Sequence, residues 1–141
     1  MAFDFDELLI SHLLDPNIKH TNREYRDSTS RCYYTVFHAA FDCMTLQHSY
    51  QRPAQGSVHT HLGNSLSTVF GQVMPRISDK FSEIRDYRNF ADYDYDFGPL
   101  RKLFGERYRG LTAPTSEREV WERTIDISKQ ILRAINHKYV P

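Results

Sequence analysis

The chain is poor in the residues that staple or interrupt a small fold. Six glycines and six prolines among 141 residues leave long stretches unbroken, and the apolar residues in those stretches recur at helical rather than alternating spacing. There are two cysteines, Cys32 and Cys43. In one predicted helix they lie ~16 Å apart and cannot bridge within the chain, which fits reduced thiols and a cytoplasmic location. No apolar run approaches membrane-spanning length, and acids stand near the N-terminus where a signal peptide would carry Lys or Arg. No membrane is therefore expected among the partners. Neither sign of charge is in excess, with 18 Lys and Arg against 18 Asp and Glu. That balance excludes coating nucleic acid by bulk electrostatics, yet it leaves room for a local basic patch. Also missing are a Gly-rich phosphate loop, Cys-x-x-Cys, His-Glu-x-x-His and Gly-x-Ser-x-Gly. His59 and His61, two apart on a predicted helix, point to opposite sides and make a poor metal pair. No metal and no other cofactor is expected.

What the chain does have is helical periodicity. At this length one domain over 1–141 is expected, large enough for a core without staples. A first helix is predicted over 3–14, capped by Asp4 or Asp6, edged by Leu9, Leu13 and Leu14, and stopped by Pro16. A long second helix, 22–49, carries Tyr33, Val36, Phe37, Ala40 and Met44 on one stripe, widened by Cys32, Phe41 and Cys43. His38 borders that stripe and reads as a packed, hydrogen-bonded histidine. A third helix, 57–74, starts at Ser57 and turns Val58, Leu62, Leu66, Val69, Phe70 and Val73 inward. Pro75 suits the first position of a fourth helix that runs to about Ala91. A less regular stretch, 93–115, precedes a last helix whose Ser116-x-x-Glu119 start has capping-box spacing. Its inner stripe is Trp121, Thr124, Ser128, Ile131 and Ile135, widened by Val120, Ile127, Leu132 and Ala134, with Glu119 and Arg123 paired on an outer face. The expected fold class is all-α, an up-and-down bundle of four to five helices.

The stretch Arg85-Asp-Tyr-Arg-Asn-Phe-Ala-Asp-Tyr-Asp-Tyr-Asp96 stands out within this frame. Ile77, Phe81, Ile84, Arg88 and Ala91 share one side of the fourth helix, facing a core or a partner. A guanidinium in that stripe is costly unless a carboxylate, a carbonyl or a bound anion pairs with it. The segment Arg101-Lys-Leu-Phe-Gly-Glu-Arg-Tyr-Arg109 interleaves cations with Phe104 and Tyr108. Such a mixture binds phosphates and stacks bases, and it equally describes a solvated helical turn with two buried aromatics.

Three segments, in order, resemble prokaryotic HEPN-domain proteins over about residues 25–135. Ser30-Arg-Cys-Tyr-Tyr-Thr-Val-Phe-His-Ala-Ala40 is similar to their Tyr-Tyr-x-x-Phe-His-Ala segment, and His61-Leu-Gly63 to their His-x-Gly position. Arg88-Asn-x-Ala-Asp-Tyr-Asp94 is similar to the Arg-Asn-x-Ala-Asp-Tyr sequence of a small single-domain branch. The resemblance implies a HEPN-like bundle that forms a homodimer, with the fourth predicted helices near the two-fold axis and both Arg88 side chains opening onto one cleft. Metal-independent ribonucleases of this family place a His a few residues after an Arg, and toxins among them often read Arg-x4-His-x-Tyr. Here Arg88 and Tyr95 keep their places, and Tyr93 stands where the histidine would be. Cleavage of RNA through its 2′-hydroxyl needs an acid and a base that work near neutral pH, whereas tyrosine titrates near ~10.

On that resemblance the candidate catalytic residues are Arg88, Tyr93 and a recruited base, with His61 or His38 the first suspects. Arg85, Asn89, Asp92, Tyr95, Arg101 and Lys102 are the candidate substrate-binding residues, and Arg107 and Arg109 extend the basic patch. Three readings follow. The first is a HEPN-fold homodimer that binds RNA or nucleotide phosphates, with weak or no nuclease activity. The second is a metal-independent endoribonuclease toxin restrained by a partner such as a nucleotidyltransferase-type antitoxin. The third is a structural or adaptor bundle in which Arg88 and Asp92 form an internal ion pair.

Overall fold

A computed structural model of the chain describes residues 20–108 and 110–139. The helix expected over 3–14, and Arg109 of the basic patch, lie outside them. Among the described residues there are five α-helices and no strand: α1 (Asn22–Gln47), α2 (Val58–Phe70), α3 (Ile77–Tyr93), α4 (Gly98–Glu106) and α5 (Glu117–Tyr139). None is long and apolar enough to cross a membrane.

The helix starts follow local hydrogen bonding. Thr21 Oγ1 accepts from the Glu24 amide (3.1 Å) while Glu24 accepts from the Thr21 amide (3.2 Å), a closed capping box that begins α1. Ser57 accepts from the Thr60 amide at the start of α2. Ser116 accepts from the Glu119 amide (3.1 Å), but the Glu119 carboxylate turns to the Thr115 amide (3.0 Å), so the return half of that box forms one residue early. Pro75 is not the first residue of α3, contrary to expectation. The helix begins at Ile77, after Arg76 in a left-handed conformation with φ 64°. Helix α2 also ends sooner than its apolar pattern predicts. Beyond Phe70 the chain turns, the Met74 amide bonding back to the Phe70 carbonyl (2.8 Å), so Met74 is buried and Val73 is left exposed. In the stretch expected to be less regular, Gly98–Glu106 is helical, with Pro99 in its first turn and Leu100 and Phe104 buried.

Helix α3 touches all four other helices, and α1 touches α2, α3 and α5. Side-chain pairs give the directions. Arg26 meets Phe90 while Tyr33 meets Phe81, so α1 and α3 are antiparallel. Thr60 meets Arg85 while Asn64 meets Ser78, so α2 and α3 are too. Phe37 packs on His59 at the start of α2, however, and His48, just beyond α1, packs on Phe70 at the end of α2. Helices α1 and α2 therefore run in the same direction, and the simple up-and-down order is corrected at this step. The connector 48–57 makes this possible, because an extended chain of that length spans roughly 30 Å and can return along a helix of ~20 Å.

The main core joins Tyr33, Val36, Leu62, Leu66, Phe70, Ile77, Phe81, Ile84, Ile131 and Ile135, and every residue predicted for the inner stripe of α5 is buried. Tyr25, Cys32, Trp121 and Ile125 form a smaller cluster between α1 and α5. Both cysteines are buried, and burial pushes the thiol of Cys32 up to about 11. Trp121 is fully buried and its indole N–H donates to Ser28 Oγ at 2.8 Å. Ser28→Ala strands that donor away from water and is expected to lower stability by about 1–3 kcal/mol. Urea unfolding checks this, with Ser28→Ala/Trp121→Phe recovering part of the loss because the orphaned N–H is gone.

Candidate functional site

Arg88 is carried into the interior by the apolar stripe it belongs to. Ile77, Phe81 and Ile84 hold that face of α3 against its neighbours, and the periodicity takes Arg88 with them, leaving it 6% exposed. Its guanidinium is received mainly by rings: the carbon lies 5.4 Å from the Tyr33 centroid, 5.2 Å from Tyr34 and 5.9 Å from Tyr93. The carboxylate of Asp92, one turn on, is 3.8 Å from Nη1, too long for a hydrogen bond, and it accepts instead from Ser30 Oγ at 3.2 Å. Nε of Arg88 is buried and has no hydrogen-bond partner among the described residues. A buried guanidinium satisfied this incompletely is an open demand for an acceptor.

One turn earlier, Arg85 faces α2. Its Nη1 reaches Thr60 Oγ1 at 3.4 Å, its Nε is buried without a partner, and no carboxylate of the described residues lies within ion-pair distance. Between the two helices lies a pocket of about 220 Å³ to which Arg85, His59, Thr60 and Asn64 contribute.

His59 connects the pocket to the tyrosines. Its Nδ1 is hydrogen-bonded to the hydroxyl of Tyr33, a residue with no exposed surface. Burial raises the Tyr33 phenol, the two arginines only partly opposing it. Burial, then Arg85 and Arg88, lowers His59 to about 4. The shared proton therefore stays on Tyr33, Nδ1 accepts it, and the neutral imidazole carries its own proton on Nε2.

The residues singled out from sequence divide by face. Arg88, Arg85, Asp92 and Tyr93 gather at this site, with Tyr93 71% exposed at its edge. Asn89 is half-buried beside Arg88 on α3, and Tyr95 is fully exposed just beyond the helix. His61 is elsewhere: it is exposed, and its Nδ1 bonds the Tyr50 hydroxyl at 3.0 Å. His38, expected to be packed, is exposed and stacks on Tyr34. Arg101 and Lys102 are exposed on α4. That helix and the residues flanking it meet α3 through Asp86, Tyr87 and Phe90, and Asp86 lies about 160° around α3 from Arg88. Arg107 pairs with Asp86 at 3.5 Å on that same side. The expected basic patch is thus two separate groups within one chain.

His59 is the residue that sequence reasoning passed over in favour of His61. The signal was present: His59 shares a helical face with Gly63 and Leu66, which are buried, whereas His61 shares one with Ser65 and Thr68. Among the described residues no three His, Cys, Asp or Glu side chains gather where they could hold a metal ion. Compared with family models, curated proteins and solved structures, the chain matches none.

The depressed His59 makes a pH prediction. Between about 4 and the unfolded value near ~6.5, the unfolded chain binds a proton that the folded one does not, so this group removes stability as pH falls through that window and is neutral above it. The groups that face it are Tyr33 on α1 and Arg85 and Arg88 on α3. In His59→Gln the drop in melting temperature between pH 7.5 and pH 4.5 should shrink by a few degrees relative to wild type, read by circular dichroism.

Proposed function

We propose that this chain binds RNA or nucleotide phosphates at Arg88, as a HEPN-like homodimer with weak or no nuclease activity. The observation that carries the reading is the state of Arg88: a buried guanidinium with an unpartnered Nε and its carboxylate neighbour 3.8 Å away. A phosphate supplies the charge-assisted acceptors that the protein does not. Around it, the exposed rings of Tyr34, Tyr93 and Tyr95 offer faces on which bases stack. The similarity of Arg88-Asn-x-Ala-Asp-Tyr-Asp94 to the HEPN segment supports the dimer and the nucleic-acid ligand.

Weak or absent cleavage follows from the acid–base groups at hand. A general acid and base work best with values near the operating pH. His59, held to about 4, is almost never protonated at neutral pH and is a poor proton acceptor. Asp92 is engaged by Ser30, and Tyr93 brings a phenol rather than an imidazole. The Arg88–Asp92 ion pair of the structural reading is present at 3.8 Å, but that distance is too long for a hydrogen bond and leaves the Arg88 Nε without an acceptor among the described residues.

Arg88→Met separates these readings. It keeps the volume and removes the charge, so it should be neutral in stability or stabilising by about 1–2 kcal/mol. At the same time it should weaken binding of a single-stranded RNA about 10–100-fold in fluorescence anisotropy at low salt. The same RNA incubated without metal should stay intact. A large fall in melting temperature with unchanged RNA binding would return Arg88 to a structural role.

The dimer has its own check. Helix α3 is covered on most sides by α1, α2, α4 and α5, so a second copy would meet it at the exposed C-terminal end, where Tyr93 lies and Tyr34 of α1 reaches Arg88. Light scattering at micromolar concentration should give twice the mass of the chain, and Tyr34→Asp should give the monomer.

A further inference from the structure

The pocket between α2 and α3 has a chemistry of its own. It is lined by His59, Thr60, Asn64, Ser78, Ser82 and Arg85, over a floor formed by Gly63 and Phe81. The helices approach closely here: a Cβ added to Gly63 would lie 3.2 Å from the Phe81 ring. That closeness sets the first turns of α2 directly against Ser78, Ser82 and Arg85.

Within the lining, acceptors are consumed and donors remain. His59 Nδ1 accepts from Tyr33, which leaves Nε2–H. Ser78 Oγ donates to the Asn64 side-chain carbonyl at 3.2 Å, which leaves the Asn64 amide group as a donor. Thr60 and Ser82 are exposed, and among the described residues the Arg85 guanidinium has no carboxylate partner. The one carboxylate at the pocket, Asp79, is paired with Arg76 at 3.3 Å and is mostly solvated. A cation surrounded by neutral donors is the inverse of an oxyanion.

We propose that this pocket takes a phosphate monoester, the terminal phosphate of a nucleotide or of an RNA end. A monoester presents three unesterified oxygens, against two in an internal diester, and the donors come from several directions: Arg85 and Ser82 on α3, His59, Thr60 and Asn64 on α2. The inference rests on the proposed function for the nucleic-acid nature of its ligand, and it adds that the chain distinguishes ends from internal phosphates. Arg88 and Arg85, one turn apart on α3, would then hold an internal and a terminal phosphate respectively.

The test uses the full chain, with the His59 ring resonance followed by NMR and identified by its loss in His59→Gln. Inorganic phosphate and AMP should move it saturably and adenosine should not. An oligoribonucleotide bearing a 5′-phosphate should bind at least tenfold tighter than its 5′-hydroxyl counterpart, and Arg85→Met should erase that difference. If Arg85→Met fails to fold, Thr60→Val with Ser82→Ala, both at exposed positions, makes the same comparison. AMP binding as tightly as the phosphorylated oligomer identifies a free nucleotide as the ligand, and much weaker AMP binding identifies an RNA end. No saturable shift with phosphate or AMP overturns the pocket. So does equal binding of the two oligomers that depends on Arg88 but not on Arg85, and that result leaves the proposed function standing. Phosphate and AMP binding without any RNA binding keeps the pocket and removes the RNA reading.

Discussion

Helix α3 is buried on nearly every side, and each charge it takes inside must find compensation from the elements packed around it. Glu83 and Asp86, 5% and 7% exposed, are as deep as the apolar residues beside them. Glu83 accepts from the Tyr87 hydroxyl at 2.7 Å and pairs with Lys80 at 3.3 Å. Asp86 accepts from the Tyr108 hydroxyl and pairs with Arg107. Burial, and then these carboxylates, keep the Tyr87 and Tyr108 phenols protonated, so both remain donors. Arg88 is the exception in this set. It receives aromatic faces, which attract a cation weakly, and a distant carboxylate. The packed interior thus gives hydrogen-bonded partners to two of these buried charges and only rings and a distant carboxylate to the third.

Tyr33 ties the open position to the rest. It packs on Phe37 and Phe81 inside the core, lies beneath the Arg88 guanidinium, and hydrogen-bonds His59. Through it, three helices share one polar chain: α1 gives the phenol, α2 the imidazole and α3 the two cations. Burial, and then the field of Arg85 and Arg88, keeps His59 neutral, and a neutral His59 adds no repulsion and offers a donor. The arrangement suits holding an anion better than moving protons.

The end of α3 that presents Asp92 and Tyr93 is fixed by a different arginine. Arg26 donates to the carbonyl of Phe90 at 3.0 Å and to that of Asp94, lies over the Phe90 ring, and pairs with Glu117 at 3.3 Å. It thereby gives the Phe90 carbonyl, which already accepts from the Asp94 amide, a second donor, and supplies a donor to the carbonyl of Asp94 at the helix cap. It also joins the starts of α1 and α5 to the rim of the site. The alternation of acids and tyrosines that follows Arg88 is therefore anchored at its base and free at Tyr95.

The helices and their inner faces were legible from the residues alone. Tyr33, Val36 and Ala40 on α1, Leu62 and Leu66 on α2, Phe81 and Ile84 on α3, and Trp121 to Ile135 on α5 are buried as their spacing predicts, because a helix and its stripe depend on hydrogen bonds and side chains only a few residues apart. The same periodicity put Arg88 inside. It was silent on what Arg88 would meet there. That Tyr33 lies beneath it, that His59 rather than His61 stands beside it, and that Arg101 and Lys102 face away depend on how whole helices are set against one another. The connector 48–57 returns α2 alongside α1, and the residues flanking α4 pack on Phe90 and cover Asp86. Local chemistry determined which faces had to be covered; only the tertiary structure decided what covers them, since contacts between residues far apart in the chain leave no period in the sequence.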